Sequence, residues 1–446
     1  MSLLFTLTLQ IAVILVVSRL TGNLFRLIRQ PRVVGEMFAG ILMGPSLLGW
    51  LFPGLSTFLF PPQSLMYLNV LSQIGLIVFM FLVGLGMNTK ELDNQGHATI
   101  LMSHVSITVP FFLGSLLSLY LYPRLSDDSV SFTSYGLFVG AAMSITAFPV
   151  LARILTERNM LQSRLGVAAI ACAAVDDVTG WCILAYIILL IRASDSSASF
   201  LITLGGLAVF ILVMIYGVRR YLRRFEAFFR EHGALSENLL ALMIVLILLS
   251  ALCTEWLGVH LIFGAFLLGA IMPKERKFVQ YIYSRLETIT VILLLPLFFA
   301  FIGLKTRITL INGAEMWLCC GLIIIVAIVG KLGGSMLAAG VMRMPLQEAA
   351  GLGILMNTRG LMELVVLNIG LDLKIISPAL FSMMVIMALL TTLMTTPLLM
   401  LIYPDREVEI ETACRKKTPR FVGRSFARQI IDRLRTPNLK GHINDQ

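Results

Sequence analysis

Apolar residues fill most of the chain in long runs, and the breaks between these runs hold Pro, Gly or charged residues. A run of about 20 apolar residues is long enough to cross the hydrocarbon core of a membrane as a helix. The pattern therefore predicts an all-α polytopic membrane protein with about 13 transmembrane helices. The predicted spans are 3–25, 33–51, 65–87, 98–121, 134–156, 165–191, 199–219, 236–254, 257–273, 286–304, 314–342, 347–370 and 378–402.

The composition agrees with this interpretation, since 58% of the residues are hydrophobic and only 13% are charged. Soluble domains hold about 25% charged residues. The apolar runs extend along nearly the whole chain, so we expect one transmembrane domain at 1–404 and a short basic tail at 405–446. The run at 3–20 is longer than the apolar region of a signal peptide, and we interpret it as part of the first span.

The formal net charge of +10 suggests an acidic partner at first sight. The excess Lys and Arg lie instead in alternate short loops and in the tail, which is the pattern that cytoplasmic segments follow. We therefore expect no nucleic-acid partner, an outside N-terminus, a cytoplasmic C-terminus and insertion in the plasma (inner) membrane. The basic tail is expected to lie near anionic membrane lipid. The six cysteines have no metal-ligand spacing, and no cofactor is predicted.

Two adjacent carboxylates, Asp176 and Asp177, stand in the middle of the apolar run from Leu165 to Ile191. A charged side chain at this depth costs about 2.5–3.5 kcal/mol even on insertion scales. No basic residue lies near the pair within the same run. The missing partner is therefore expected to be a cation or a proton.

Two of the predicted spans are interrupted at membrane depth. The fifth contains the segment SITAFP at 144–149, in which Pro removes a helical hydrogen bond and the hydroxyls can satisfy freed backbone groups. The twelfth contains Gly351, Gly353 and the segment NTRG at 357–360. The two spans occupy corresponding positions in two halves of the chain. Paired interrupted helices indicate a transporter built from inverted repeats, with a site at the membrane midplane.

Further charged residues lie inside predicted spans. Lys331 is about a dozen residues from either end of its span, so it is either a counter-ion that fixes helix packing or a titratable partner of an aspartate. Asp176 and Asp177 diverge by about 100° around a helix, so one can face Lys331 while the other faces the interrupted helices. Arg359 can pair with Glu363, four residues further along the same helix face, or with Glu36. These last three residues are predicted to form structural ion pairs rather than an ion site.

Five segments, in this order, resemble the monovalent cation:proton antiporter-2 family. They are PRVVGEMFAGILMGPSLLG (31–49), SITAFPVLARIL (144–155), AAVDDVTGW (173–181), GVHLIFGAFLLGAIMP (258–273) and NTRGLMELVVLNIGLD (357–372). The chain is similar to plant-type cation/proton exchangers and their bacterial relatives over roughly residues 5–402. The resemblance implies the sodium/proton antiporter fold, in which inverted repeats contribute two crossed discontinuous helices. It also implies a homodimer whose core domain moves against a dimerisation domain like an elevator.

The resemblance implies roles for individual residues as well. Asp177 matches the aspartate that binds the cation and the proton, and Asp176 matches the preceding acid of electrogenic members. Lys331 matches the lysine that pairs with this acid, and Thr146 matches the broken-helix threonine near the ion. Asp177, Asp176 and Thr146 are thus the expected monovalent-cation ligands, with Asp177, Asp176 and Lys331 coupling proton movement. The acid at 176 departs from the Asn of plant-type exchangers and the Gln of potassium-efflux members, which weakens any potassium preference taken from them.

These features predict a secondary-active antiporter that exchanges Na⁺ or K⁺ for protons, electrogenically, with two protons per cation. No nucleophile–base set or nucleotide motif indicates an enzyme. Two other classes stay open. A cation channel would be expected to contain a selectivity filter and a re-entrant pore loop. A sodium-coupled solute symporter of similar inverted-repeat build would need a site for an organic anion.

Overall fold

The computed structural model describes residues 2–28, 30–86, 97–126, 130–158, 160, 163–192, 197–233, 235–257 and 260–403. Throughout these ranges the regular secondary structure is helical, as the apolar pattern predicts. The basic tail predicted at 405–446 lies outside the described residues.

The first half of the chain forms α1 (Leu3–Leu27), α2 (Arg32–Met43), α3 (Leu48–Leu51), α4 (Pro53–Leu59), α5 (Pro62–Gly86), α6 (His97–Leu125), α7 (Phe132–Ser144), α8 (Phe148–Glu157) and α9 (Arg164–Arg192). The second half forms α10 (Ser197–Leu212), α11 (Arg219–His232), α12 (Glu237–Trp256), α13 (Leu261–Ile271), α14 (Arg276–Ile289), α15 (Leu295–Lys305), α16 (Gly313–Val341), α17 (Leu346–Met356), α18 (Leu361–Asp372) and α19 (Pro378–Ile402). Single π-helical segments at Val213–Val218 and Thr290–Leu294 join α10 to α11 and α14 to α15.

Serine hydroxyls begin several of these helices. Ser2, Ser131, Ser236 and Ser377 each accept a hydrogen bond from the backbone N–H three residues further along the chain. Each bond satisfies one of the N–H groups that a helix leaves free in its first turn. Helix α11 ends at Gly233, whose φ of 72° lies in the left-handed region that glycine adopts without strain.

Ten helical stretches in the described residues are long and apolar enough to cross a membrane, and the bent pair α17–α18 adds an eleventh. The sequence predicts about thirteen. The two predicted spans outside this count are the interrupted α7–α8 and the helix α13, which has only 11 residues. Both stand where an apolar span is predicted, so the difference concerns helix length rather than the position of the helices.

The helices pack as two bundles. A scaffold bundle contains α1, α2, α5 and α11–α15, and a core bundle contains α6–α9 and α16–α19. In the scaffold bundle, α2 crosses α15 at Gly40 and Gly303, and α5 crosses α13 at Gly84 and Gly269. At each of these four glycines an added Cβ would collide with the backbone of the opposite helix. Such close approach through small residues is how helices associate tightly within lipid.

The two bundles touch near both membrane faces. At the end of α15, Lys305 Nζ lies 2.7 Å from Asp372 Oδ1 and 2.8 Å from Asn368 Oδ1, both in the last turns of α18. Towards the other face, Gln30 Nε2 donates to the carbonyl oxygen of Leu393 in α19, at 3.0 Å. Apolar packing also crosses between the bundles, where Trp181 of α9 packs against Phe263 and Phe266 of α13.

Candidate ion-binding site

The interrupted fifth span consists of two half-helices. Helix α7 ends at Ser144, and Ile145 is already extended, with φ −75° and ψ 136°. Helix α8 begins at Phe148, so Pro149 stands in its first turn, where the missing N–H costs no helical hydrogen bond. From the sequence, the interruption is predicted to lie at a proline inside a helix. The interruption instead precedes the proline, which starts the second half-helix.

The second interruption crosses the first. Helices α17 and α18 are bent by 43° at their break. The backbone N–H of Ala147 donates to the carbonyl oxygen of Thr358 at 3.0 Å. Thr146 Oγ1 also lies 3.1 Å from the carbonyl oxygen of Met356. Two discontinuous helices therefore meet in the core bundle, with non-helical backbone from each satisfying groups of the other.

Threonines of α19 contact the second break through one backbone unit and one side chain. Thr392 Oγ1 accepts from the backbone N–H of Arg359 at 3.1 Å and lies 2.7 Å from the Arg359 carbonyl oxygen. Thr395 Oγ1 lies 3.5 Å from Thr358 Oγ1. Irregular backbone at membrane depth persists only where protein groups of this kind replace the lost helical bonds.

Two buried cations stand at the carbonyl end of α7. Arg359 Nη1 and Nη2 donate to the carbonyl oxygens of Ala142 and Met143, at 3.1 Å and 2.5 Å. Lys331 Nζ donates to the carbonyl oxygen of Ser144 at 2.6 Å. The C-terminal end of a helix carries partial negative charge, so it stabilises a cation. The break in the fifth span thus creates a negative helix end that holds both positive charges of the site.

Asp176 is fully buried on α9 and receives three side-chain donors. Its Oδ2 lies 2.8 Å from Lys331 Nζ and 2.9 Å from Thr146 Oγ1, and its Oδ1 lies 2.5 Å from Ser103 Oγ. The Lys331 ammonium uses its other protons on backbone carbonyl oxygens, among them that of Ser106 at 3.1 Å. An ammonium has three donors, so Lys331 is saturated, and each oxygen of Asp176 has at least one donor.

Asp177, the next residue, is buried with one carboxylate oxygen that lacks a donor among the described residues. It is 3% exposed, and the backbone N–H of Phe148, at the start of α8, donates to its carboxylate. Its Oδ1 has no hydrogen-bond partner among the described residues. The N-terminal end of a helix favours negative charge, which explains why a carboxylate is tolerated here. Because Asp177 Oδ1 has no donor among the described residues, it can accept a proton or bind a cation.

The three residues predicted to form structural ion pairs lie in different bundles: Arg359 and Glu363 in the core bundle, and Glu36 in the scaffold bundle. Arg359 Nη1 lies 3.3 Å from Glu363 Oε1, and both side chains are buried. Glu36 is buried on α2 of the scaffold bundle, beside Gly22 of α1. Arg359 is therefore in contact with Glu363, one of its two candidate partners.

Two residues of the site, Ser103 and Ser106, are absent from the sequence predictions. Both lie on α6 and are buried. Serine is common in membrane helices, so neither residue stands out by type. Their spacing of three, which puts two hydroxyls on one face of a span, was the available signal.

The fold defines a multi-pass integral membrane protein, and its buried charged residues make the crossing of two broken helices the candidate ion site. Residues 12–401 match the family described as sodium/hydrogen exchanger, transmembrane. This match covers most of the chain, and the protein belongs to that family, which consists of transporters rather than enzymes.

Relatives in three organisms extend the comparison. The Na⁺/H⁺ antiporter NhaS4 of Synechocystis sp. is 44% identical over 395 residues, which are 88% of this chain and 96% of that protein. Cation/H⁺ antiporter 17 of Arabidopsis thaliana is 39% identical over 89% of this chain and 48% of its own length. K⁺/H⁺ antiporter 1 of Saccharomyces cerevisiae is 33% identical over 89% of this chain and 46% of its own length. The chain thus spans about half the length of the plant and yeast relatives.

A solved structure shares the fold. The sodium proton antiporter MjNhaP1 from Methanocaldococcus jannaschii superposes with a TM-score of 0.65, over 92% of this chain and 99% of that one. The two sequences are 15% identical, so the likeness establishes the fold alone. The antiporter fold implied by the five sequence segments is thereby confirmed.

Proposed function

We propose that the protein is a secondary-active antiporter that exchanges a monovalent cation, Na⁺ or K⁺, for protons at Asp177. The observation that carries this proposal is the contrast between two adjacent carboxylates. Asp176 has donors on both oxygens, whereas Asp177 Oδ1 has none among the described residues. Family membership supports the same activity, and so do the relatives, which are named as antiporters of Na⁺, K⁺ or other cations with protons.

Coupling follows from competition for one carboxylate. A bare ionised carboxylate is strongly disfavoured in the membrane interior, so Asp177 crosses only when a proton or a cation neutralises it. Each ligand excludes the other from the same oxygen. When one ligand moves inwards and the other outwards, the gradient of one ion drives the transport of the other.

The cation is expected to take further oxygen ligands from the same region. Thr146 Oγ1 has a single proton, directed to acceptors at Asp176 Oδ2 and the Met356 carbonyl, and its lone pairs stay available. Asp176 can contribute an oxygen if Lys331 releases it. Carboxylate and hydroxyl oxygens suit Na⁺ and K⁺ alike, and we propose both as substrates.

We propose that exchange is electrogenic, with two protons per cation. A cation that binds Asp177 and Asp176 displaces Lys331, which then gives up its proton because a buried ammonium without a counter-ion is disfavoured. On the return, one proton binds Asp177 and a second restores the Lys331 ammonium. The cation-loaded site then carries one more negative charge than the proton-loaded site, so one net charge moves per cycle.

The division into two bundles supports an elevator-like movement of the core bundle against the scaffold bundle. All four residues of the proposed transport site, namely Asp177, Asp176, Lys331 and Thr146, belong to the core bundle. We further propose a homodimer held by scaffold helices, in the plasma (inner) membrane, with contacts to membrane lipid. The N-terminus is outside and the C-terminus cytoplasmic, because the loops richest in Arg and Lys then face the cytoplasm.

The direct test uses the purified full chain in proteoliposomes that contain a pH-sensitive dye. Addition of Na⁺, K⁺ or Li⁺ in separate runs should release protons from acid-loaded vesicles without any organic substrate. Cation flux that needs no opposing proton flux would indicate a channel. Proton movement that requires an organic anion would indicate a symporter, and either result would overturn the proposal.

A further inference from the structure

A tryptophan stands in the contact between the two bundles, one helical turn beyond the proposed ion site. Trp181 follows Asp177 by four residues on α9, so the two residues share a face of the helix and lie about 6 Å apart along its axis. The Trp181 ring centroid lies 5.3 Å from that of Phe263 and 6.3 Å from that of Phe266, both on α13. Trp181 is only 5% exposed. Its indole therefore fills space between the core bundle and the scaffold bundle.

The two phenylalanines stand on a helix that the scaffold bundle holds closely. Ser250 Oγ of α12 donates to the carbonyl oxygen of Gly264 at 2.7 Å, and an added Cβ at Gly264 would collide with the Ser250 carbonyl. Gly269 of the same helix approaches the backbone of α5 as closely. Helix α13 is thus fixed between α5 and α12, and Phe263 and Phe266 belong to the scaffold side of the contact.

Packing rather than hydrogen bonding holds the indole in place. Trp181 Nε1 is buried and has no hydrogen-bond partner among the described residues. The N–H of a buried tryptophan usually finds an acceptor, so a tryptophan that lacks one requires a physical explanation. A ring held by packing can separate from Phe263 and Phe266 without breaking a hydrogen bond, which suits a contact that opens and closes.

Beyond Asp177, the buried face of α9 offers no ligand to a cation. Its buried side chains, within the described part of the helix, are Trp181, Leu184, Ile187 and Ile188, and none carries an oxygen. A constriction lined by apolar side chains excludes water and ions without any charged barrier. The largest of these side chains, Trp181, stands nearest to the ion site.

We propose that Trp181 is the gate residue of the ion path: its ring, packed against Phe263 and Phe266, closes the route between Asp177 and the membrane face at which α9 ends. The proposal rests on the function proposed above and deepens it, because it identifies a residue that controls access to Asp177 from one side. In the proposed orientation this side is the outside. Antiport needs such a barrier, since a site open to both faces at once would let a cation cross without an opposing proton.

Movement of the core bundle gives the gate a way to open. Asp177 and Trp181 stand on the same helix and would move together, whereas Phe263 and Phe266 would stay with the scaffold bundle. The movement that carries the ion site along the scaffold would therefore also separate the indole from the two facing rings.

The first test measures access to position 177 and does not require transport. In a chain whose six native cysteines are replaced, Asp177→Cys places a thiol at the proposed ion site. A membrane-impermeant cationic thiol reagent is then added to right-side-out or to inside-out vesicles. Trp181→Ala should accelerate labelling about tenfold from the face at which α9 ends, because the two aromatic contacts that keep the path closed are lost.

A separate chain with Lys374→Cys identifies that face. Lys374 is exposed just beyond α18, and α9 and α18 belong to the sixth and twelfth predicted spans, which end at the same face. The vesicles in which the thiol at position 374 reacts are therefore those in which Trp181→Ala should accelerate labelling at position 177.

Three further variants complete the labelling test. Trp181→Phe keeps an aromatic ring at the contact, so the rate should return towards that of Asp177→Cys alone. Trp317→Ala removes a tryptophan of α16 that is 52% exposed, and it should leave the rate unchanged. Phe263→Ala removes a facing ring from the scaffold side and should accelerate labelling from the same face. It replaces Trp181→Ala if that chain does not fold.

The second test measures coupling in the chain with its native cysteines and Asp177. Proteoliposomes are loaded with sodium thiocyanate at equal internal and external pH, so that the permeant anion balances the charge of any Na⁺ that leaves. Trp181→Ala should release Na⁺ about tenfold faster than wild type, without the proton uptake that accompanies Na⁺ release by an antiporter. Trp317→Ala should match wild type.

Several results would overturn the gate. They are labelling that is unchanged in both Trp181→Ala and Phe263→Ala, labelling that is accelerated equally from both faces, and Na⁺ release by Trp181→Ala that stays coupled to proton uptake at the wild-type rate. Absence of cation-driven exchange by wild type would instead reject the proposed function. The labelling test would still decide whether Trp181 controls access to position 177.

Discussion

Lys331 Nζ and Asp176 Oδ2 lie 2.8 Å apart, and neither side chain is exposed to solvent. The pair connects α16 with α9, and the same ammonium donates to the last carbonyl oxygen of α7 at Ser144. Removal of one member of a buried ion pair leaves an uncompensated charge and costs about 3–5 kcal/mol. The pair therefore stabilises the packing of the core bundle, and its lysine is the group that we propose takes up the second proton.

Substitution of the lysine tests the electrogenic part of the account. Lys331→Gln removes the group that takes up the second proton, while Asp177 still exchanges one proton for one cation. We expect some exchange to survive and its dependence on membrane potential to fall or vanish. In wild type, 100 mV contributes about 2.3 kcal/mol for each net charge moved, which is large enough to measure. The measurement is the cation ratio at which transport reverses, in proteoliposomes clamped at several potentials.

Lys374→Gln is the control for this experiment, since Lys374 is an exposed residue just beyond the end of α18. It should keep the wild-type voltage dependence. If wild type itself reverses at the same cation ratio at every potential, exchange is electroneutral, and Lys331 acts only as a structural counter-ion.

A contact between the bundles tests the elevator-like movement. Lys305 in the scaffold bundle lies 2.7 Å from Asp372 in the core bundle. In a cysteine-free background, Lys305→Cys with Asp372→Cys, joined by a short thiol cross-linker, should stop exchange because the core bundle can no longer move. Reduction of a cleavable cross-linker should restore exchange.

The matched control joins two helices of the core bundle. Arg124 Nε and Glu315 Oε1 form an ion pair at 2.8 Å between α6 and α16. Arg124→Cys with Glu315→Cys, cross-linked in the same way, should leave exchange largely unchanged because the two helices move together. Full exchange by the cross-linked 305–372 pair would rule out relative movement of the bundles at this point.

The sequence was sufficient to predict an all-helical membrane fold, because the length of the apolar runs determines whether they can cross a membrane. Long apolar runs and two interrupted spans could be located without any knowledge of tertiary contacts, and the double aspartate is costly enough to mark a site. The lengths of individual helices were less predictable. Helix α13 has 11 residues because the chain turns at His260 and Met272 within an apolar region that sequence alone assigns to a full span.

The hydrogen bonds of the site could not be predicted in detail. Asp176 lies 73 residues from Ser103 and 155 from Lys331 in the chain, so these contacts depend on how α6, α9 and α16 pack. The lysine is conspicuous because a charge inside a span is rare, whereas a serine there is ordinary. A charged residue inside a membrane span can thus be recognised from the sequence as a candidate site residue, whereas a serine inside a span cannot.

Lys274 provides a test of pH-dependent stability outside the spans. Its Nζ lies 2.9, 3.0 and 2.9 Å from the carbonyl oxygens of Gly84, Leu85 and Gly269, at the ends of α5 and α13. Burial, followed by the positive charge of Arg219, lowers the pKa of Lys274 from its ordinary value of 10.5 to about 7. As pH rises above about 7, the folded protein loses this proton while the unfolded chain retains it, so unfolding becomes less favourable up to about pH 10.

We therefore expect the melting temperature of wild type, measured relative to that of Lys274→Met in detergent, to increase between about pH 7 and pH 9. The comparison with the variant cancels the titration of all other groups. A difference that stays constant or decreases over this range would mean that the pKa of Lys274 is not lowered in the folded protein.

The central claim is that Asp177 binds both transported ions. Asp177→Asn preserves the shape of the side chain but removes its negative charge. The Asn side chain should therefore bind neither a proton nor a cation. Wild type and Glu231→Gln, a control at an exposed acid of α11, should both release protons from acid-loaded proteoliposomes when Na⁺ or K⁺ is added. Asp177→Asn, reconstituted to the same level, should release no more than protein-free liposomes. Cation-driven proton release by Asp177→Asn at a rate comparable to wild type would contradict the account.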